Sequence, residues 1–296
     1  MVQEASGQVL TRHRAAVLGK PIAHSLSPVL HRAAYAALGL ADWSYDVREC
    51  DAASLRELIA GLGPTWRGLS LTMPLKEEAL LIADTSSVIA RQTGAVNTLV
   101  RDGVRWHGEN TDVFGIREAL RDAGVGSGRP VSRALVVGSG ATARSALAAL
   151  ADLGVTEVTF VVRKRVRAST LAQARDHGFR VSVVGDQEAA AAMLDSPLVV
   201  SAVPAGAADS LALAVAQEAA RSGPAVSGGV LLDVVYADWP TALAEAAASY
   251  GVRVVPGIEM LIHQGAAQVE LMTGHAAPLE AMQRAGRAAA GLTQGV

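Results

Sequence analysis

The amino-acid sequence predicts an α/β protein whose second half is built on a doubly wound parallel sheet. Three observations carry this. Residues 133–144 read as strand, glycine turn and helix: apolar Ala134 to Val137, then Gly138-Ser139-Gly140, then Ala141 onward. Strand and helix patterns alternate on both sides of that stretch. A length of 296 residues, at about 150 per domain, suggests two domains.

In the first half, Ala15 to Leu18 reads as a strand stopped by Gly19-Lys20-Pro21. A turn-rich loop, Ile22 to Pro28, leads into a helix over 29–38, with Ser27 as a cap, Pro28 at the first turn and Gly39 as the stop. Trp43 to Val47 is a strand and Ser54 to Leu62 a helix. Gly68 to Thr72 is a strand, and Pro74 opens a helix to Ala83. Ala95 to Arg101 turns at Asp102-Gly103 into Val104 to His107, a hairpin. Val113 to Ala123 is a helix leaving the Asn110-Thr111-Asp112 turn.

In the second half, strands follow at 134–137, 157–162, 180–184, 198–202, 230–235 and 252–255, with helices between most of them. The chain closes in helices from Gly257 and a loose Ala-rich tail.

Composition narrows the class. Half the residues are hydrophobic and 4% aromatic, so the cores are built from Ala, Val and Leu. A net charge of −2 offers no field for nucleic acid or an anionic membrane. The single cysteine, Cys50, excludes an internal disulfide and a cysteine-based zinc site. His24, His31, His107 and His263 have no metal-ligand spacing, and no metal is expected. The N-terminus, residues 1–14, lacks a signal-peptide core, and no uncharged run is long enough to span a bilayer. The expectation is a cytoplasmic protein, a monomer or homodimer, with a small-molecule substrate.

The glycine turn has its own chemistry. Gly138-x-Gly140-x-x-Ala143 matches the dinucleotide fingerprint. Gly138 permits the tight turn, Gly140 admits a pyrophosphate, and Ala143 lets helix and strand approach closely. Ser139, Ala141 and Thr142 complete the phosphate cradle at the helix N-terminus. NAD enzymes place an acid about 20 residues further on. Here that position reads Arg163-Lys164-Arg165-Val166-Arg167, with no carboxylate. Such a cluster suits a 2′-phosphate, with Arg163, Lys164 and Arg167 the candidates, so the cofactor is expected to be NADP(H).

Four other stretches carry polar residues in unusual places. Ser25 and Ser27, two apart in a loop, can hold a small anion together or serve as a helix cap. Lys76 falls on the first turn of a helix, where the dipole disfavours its charge; that suits a lysine acting on a substrate. Asn97 and Asp112 sit at element ends, either as functional groups or as Asx turns and caps.

Taken together, these motifs resemble the shikimate dehydrogenase family. The loop Pro21-Ile-x-His-Ser-x-Ser-Pro-x-x-His31 matches one family motif, and Thr72-x-Pro-x-Lys76 much of a second. Gly94-Ala-Val-Asn-Thr98, Asn110-Thr-Asp112, Asp233-x-x-Tyr236 and the series Gly257, Met260, Leu261, Gln264, Gln268 match four more. The resemblance runs from Val17 to Gly274.

The resemblance implies NADPH-dependent reduction of 3-dehydroshikimate to shikimate. It implies that Ser25 and Ser27 hold the substrate carboxylate. Thr72, Lys76, Asn97, Asp112 and Gln264 would contact the ring hydroxyls and the reacting oxygen, with Tyr236 nearby. Lys76 and Asp112 would be catalytic, Lys76 as proton donor or as electrostatic clamp. Val203, Val234, Gly257 and Met260 would line the cofactor side. The implied fold is a substrate domain of residues 1–111 completed by 257–296, and a Rossmann-like NADP domain of 112–256, with the active site between them.

Four positions depart from the family pattern. Ser70 stands for an Asn, and Arg32 for an Asn after the loop histidine. Val162-Arg163-Lys164 replaces Asn-Arg-Thr, and Ser201-Ala202-Val203 replaces Asn-Ala-Thr. Quinate and aminoshikimate dehydrogenases share the scaffold and the Lys–Asp pair. The paired serines argue against a folate-linked dehydrogenase. Lys76 with Asp112 argues against a non-catalytic NADP-binding protein.

Overall fold

A computed structural model describes residues 12–128, 130–222 and 229–292. Most of the N-terminal stretch and the far end of the tail, 293–296, therefore lie outside the described residues.

The described residues form two six-stranded sheets. The first holds β1 (His13–Gly19), β2 (Trp43–Glu49), β3 (Trp66–Leu71), β4 (Thr85–Ser86), β5 (Thr98–Asp102) and β6 (Arg105–Glu109), in the order β2-β1-β3-β5-β6-β4. β1 is parallel to β2 and β3, and the β5–β6 hairpin adds antiparallel strands. Alternation along β1 sends Ala16 and Leu18 to a core with Leu55, Leu69 and Leu99. Ala15 and Val17 face the other way, towards Tyr35, Tyr45 and Met272.

The second sheet holds β7 (Arg133–Val137), β8 (Glu157–Val161), β9 (Arg180–Val184), β10 (Leu198–Ser201), β11 (Val230–Asp233) and β12 (Arg253–Pro256). All its pairings are parallel, in the order β12-β11-β10-β7-β8-β9. Read from the other edge, this is the 3-2-1-4-5-6 order of dinucleotide-binding sheets. Both faces are covered. Val136 and Phe160 pack with α5 (Asp112–Asp122) and α6 (Ala141–Asp152). Leu135 and Val137 pack with α9 (Asp209–Ser222) and α10 (Ala242–Ser249).

The remaining helices are α1 (Ser27–Ala37), α2 (Leu55–Ala60), α3 (Lys76–Ile82), α4 (Val88–Thr93), α7 (Ala168–Asp176), α8 (Asp186–Asp195), α11 (Gly257–Thr273) and α12 (Leu279–Ala289). α11 returns the chain to the first sheet. Its residues Ile258, Ile262 and Val269 share a core with Leu30 and Ala34 of α1 and Met282 of α12. It also lies tight on α5: a Cβ on Gly115 would meet Met260 O at 2.6 Å and Gln264 Cβ at 2.8 Å. Only a glycine at 115 lets the two helices approach this closely.

Two local expectations change, and one stretch gains elements that had none. Ser27 does not cap α1; Leu26 is the N-cap, Ser27 is the first helical residue, and its N–H donates to Ser25 Oγ at 3.3 Å. The hairpin strand begins at Thr98, because Ala95 to Asn97 form a bend whose Val96 N–H donates to Lys76 O. β4 and α4 occupy a stretch that carried no prediction: β4 is two residues long and α4 only six, with Val88 and Ile89 exposed, too little for a periodic signal. The stop at Gly39 holds, with Leu38 as C-cap and Gly39 left-handed at φ 68°.

Candidate active site

The loops after β1 and β3 lie side by side, with Lys20 N–H donating to Met73 O and Thr72 N–H to Leu18 O. They face the C-terminal ends of β11 and β12 across a cleft of about 200 Å³. Ligands of open α/β sheets bind at such strand ends. Ser25, Ser27, Thr72, Lys76, Asn97, Asp112, Tyr236 and Gln264 all line this one cleft. Thr142, Val234, Gly257 and Met260, from the expected cofactor set, line it too.

Lys76 opens α3 and Asp112 opens α5. The macrodipole favours the acid at its helix start and opposes the lysine at the other. The opposition is answered directly: Lys76 Nζ donates to Asp112 Oδ2 at 2.5 Å, with both side chains largely buried. Asn97 Nδ2 donates to Asp112 Oδ1 at 2.8 Å, so each carboxylate oxygen has its own partner. Asn97 Oδ1 in turn accepts from Thr111 N and Thr98 Oγ1, each at 2.8 Å. Gln264 Oε1 accepts from Asn97 Nδ2 at 3.2 Å. The Lys–Asp pair is thus held from behind and open to the cleft.

Ser25 Oγ is tied to the start of α1 and faces Tyr236. Burial raises the Tyr236 phenol above its ordinary range, so it stays neutral and able to donate. Asp233, three residues earlier, is buried and also shifted up by burial; it accepts from Thr241 Oγ1 at 2.7 Å and from Val235 N at 3.3 Å, which shapes the turn carrying Tyr236.

Gln268, on the same helix face as Gln264 as its i, i+4 spacing predicts, lines the cleft as well, and so does Ser70, which had no expected contact. Gln268 accepts Ser70 Oγ–H at 2.6 Å and donates through Nε2 to Thr98 Oγ1 at 2.8 Å. Ser70 accepts from the buried Tyr45 hydroxyl at 2.7 Å. A run of hydrogen bonds therefore joins Tyr45, Ser70, Gln268, Thr98, Asn97, Asp112 and Lys76. The i, i+4 spacing of Gln264 and Gln268 is the sequence signal that reaches Gln268; nothing in the sequence pairs Tyr45 with Ser70. His31 is fully buried, stacks on Tyr45 at 3.9 Å, and faces Gln268 Oε1 at 3.3 Å through Nε2. A carbonyl oxygen only accepts, so that nitrogen carries the proton. Burial lowers the His31 pKa from 6.5 to about 3, leaving the ring neutral.

The fingerprint residues lie at the β7–α6 turn, beside the cleft. Gly138 has φ 100°, and a Cβ there would meet Val203 Cγ1 at 2.8 Å and Ala202 O at 3.1 Å. Val203 is thus packed against the turn. Gly140 is the N-cap of α6 without a side-chain partner, so the first-turn N–H groups of Ala141, Thr142 and Ala143 are open to an anion. Ser139 ties this turn to the basic cluster: its Oγ accepts from Arg167 N at 3.3 Å and its carbonyl from Thr170 Oγ1 at 2.8 Å. Arg163, Lys164 and Arg167 are exposed, and among the described residues none of them forms an ion pair. A cradle closed to side chains, free helix N–H groups and unpaired cations next to it fit a dinucleotide with an extra phosphate. Gly257 is equally constrained, since a Cβ there would collide with the Val234 carbonyl.

Among the described residues no helix is long and apolar enough to cross a membrane. Nor, among them, does any cluster of three His, Cys, Asp or Glu stand ready for a metal ion.

Residues 17–99 match the shikimate dehydrogenase substrate binding domain, and residues 257–285 the shikimate 5'-dehydrogenase C-terminal domain. The shikimate dehydrogenase (NADP(+)) of Symbiobacterium thermophilum is 35% identical over 286 residues, covering 92% of this chain and 93% of that protein. The chain belongs to the shikimate dehydrogenase family. Solved members agree in shape. Mycobacterium tuberculosis shikimate dehydrogenase is 42% identical with a TM-score of 0.81, covering 93% of this chain and 99% of that one. The Thermus thermophilus shikimate 5-dehydrogenase, solved in complex with NADP(H) and shikimate, is 33% identical with a TM-score of 0.77, covering 94% and 99%.

Proposed function

We infer that this chain is an NADP-dependent shikimate dehydrogenase that reversibly reduces 3-dehydroshikimate to shikimate. One observation carries the reading: the Lys76–Asp112 pair and the expected substrate residues from both halves of the chain line a single cleft, beside a cofactor cradle flanked by exposed cations.

When bound, NADPH supplies the hydride, which no side chain can. Residues 138–143 would hold its diphosphate, with Arg163, Lys164 and Arg167 on the 2′-phosphate. Val203, Val234, Gly257 and Met260 would shape the path to the cleft. Ser25 and Ser27 would hold the substrate carboxylate, with the neutral Tyr236 phenol beside them. Thr72, Asn97 and Gln264 would orient the ring hydroxyls.

Lys76 would supply the positive charge and the proton that a developing alkoxide needs. Asp112 keeps its ammonium aimed into the cleft; Asn97, by occupying Oδ1, leaves Oδ2 for Lys76. In the reverse direction the same pair would take the hydroxyl proton of shikimate.

We also propose the domain division stated above: residues 1–111 with 257–296 on the substrate side, and 112–256 on the cofactor side. Two separate sheets, and the packing of α11 and α12 on α1, support it.

The test is a substrate-by-cofactor assay following the absorbance of the reduced nicotinamide, with 3-dehydroshikimate plus NADPH or NADH, and with shikimate and quinate each plus NADP or NAD. The expected result is the highest kcat/KM for shikimate with NADP. A higher value for quinate with NAD overturns the reading.

A further inference from the structure

Arg144 is a buried cation with no part in the chemistry just described. It lies on α6, directly after the fingerprint residue Ala143, and is 3% exposed. A guanidinium so deeply buried needs partners for its donors. Most of them lie on the other half of the molecule. Nε donates to Thr93 O at 2.6 Å, and Nη2 donates to Glu77 Oε1 at 2.7 Å and Gly94 O at 3.2 Å. Only Nη1, reaching Ser169 Oγ at 3.4 Å, stays on its own side.

The partners are chosen by position. Thr93 and Gly94 end α4, where carbonyls left without intrahelical partners and the helix dipole attract a cation. Glu77 follows Lys76 in α3. From Gly94 the chain runs three residues to Asn97, and on the way Val96 N donates to Lys76 O at 2.8 Å. The neighbouring Ser145 adds a second link, accepting from Asn110 Nδ2 at 3.0 Å, two residues before Asp112. One turn of α6 therefore grips the segments that carry Lys76, Asn97 and Asp112. The opening turn of the same helix is the candidate phosphate cradle.

We propose that Arg144 is a positioning residue that couples cofactor binding to the setting of Lys76, Asn97 and Asp112, and so to substrate affinity. The proposal rests on the function inferred above. A diphosphate bound at residues 140–143 holds α6 in place. Arg144 passes that constraint to Gly94 and Glu77, one hydrogen bond away from the catalytic segments. Cofactor and substrate then bind with positive coupling, although Arg144 touches neither.

The coupling is measurable with shikimate and NADPH, a pair that binds without turning over. Calorimetry gives the Kd of shikimate with and without saturating NADPH. In the unaltered protein NADPH is expected to tighten shikimate about fivefold or more. In Arg144→Met that factor should fall to about one, while each ligand alone still binds. Arg144→Lys keeps the charge but loses the fork, and Glu77→Gln removes the exposed ion-pair partner while sparing both carbonyl contacts. Both should fold and show reduced coupling, so the test stands even if Arg144→Met does not fold. Unchanged coupling in the folded variants, or none in the unaltered protein, overturns the proposal. A second arm needs no substrate: NADPH alone should slow amide hydrogen exchange at residues 94–97 in the unaltered protein and not in the Arg144 variants. An exchange response without any shikimate binding would sink the functional reading but leave the clasp standing; no exchange response at those amides would sink the clasp.

Discussion

Lys76 Nζ and Asp112 Oδ2 lie 2.5 Å apart although the two residues open different helices 36 positions apart. The pair forms because the dipole of α5 favours an acid where the dipole of α3 opposes a base, and Asn97 fixes the acid's other oxygen. On the proposed function, a lysine that supplies charge and a proton to the reacting oxygen implies a large rate effect. Lys76→Met is expected to lower kcat by about 10³-fold, within the range of general acid–base catalysis. Asp112→Asn should fall similarly, because the ammonium loses its aim as well as its partner. Steady-state rates with shikimate and NADP check both; a loss smaller than tenfold for Lys76→Met would remove it from the mechanism.

The loop serines predict a different signature. Ser25→Ala and Ser27→Ala should each raise the KM for shikimate about tenfold or more, the usual cost of losing a hydrogen bond to a charged group. The KM for NADP should stay within about twofold, because neither serine belongs to the glycine turn or to the basic cluster. Equal rises in both KM values would mean that the loop, not the hydroxyls, had been disturbed.

On the cofactor side, the cations at residues 163–167 are exposed and unpaired among the described residues. Arg163→Ala with Arg167→Ala should weaken NADP about tenfold or more and leave NAD nearly unchanged. Raising the ionic strength should weaken NADP binding in the unaltered protein for the same reason. Parallel losses for the two cofactors would place the 2′-phosphate elsewhere.

His31 predicts how stability responds to acid. Its pKa is about 3 in the fold and 6.5 when unperturbed, because the buried ring excludes a charge. Above pH 6.5 the ring is neutral in both states and costs nothing. Below that, the unfolded chain takes up a proton that the folded chain refuses, so stability falls as the pH drops towards 3. The slope from this group approaches about 1.4 kcal/mol per pH unit. Urea unfolding at pH 7 and pH 5 should show about 2 kcal/mol more loss in the unaltered protein than in His31→Asn. Equal losses would mean that His31 is not kept neutral.

The sequence by itself determined the second sheet almost to the residue. Parallel strands buried on both faces are continuous apolar runs, and Ala134 to Val137 and the stretch from Leu198 read as such. It also determined the glycine cradle and the missing acid beyond β8, because both are chemistry written locally. The motif spacing from Pro21 to Gln268 carried the family. Where local signal was short it failed: β4 and α4 left no periodic pattern, and the hydroxyl of Ser27 proved free of the cap that its position suggested.

Only the tertiary structure decided which of these groups meet. Lys76 and Asp112, Tyr45 and Ser70, and Arg144 and Glu77 are separated in the chain by 36, 25 and 67 positions. Each contact depends on the packing of helices and strands from distant segments, which no local pattern encodes. Gly115 makes the point from the other side. In sequence it is an ordinary glycine in a helix; in the fold it is the gap that lets α11 bring Gln264 against Asn97. Residue type and spacing say what chemistry is available, and close packing alone says which groups are near enough to perform it together.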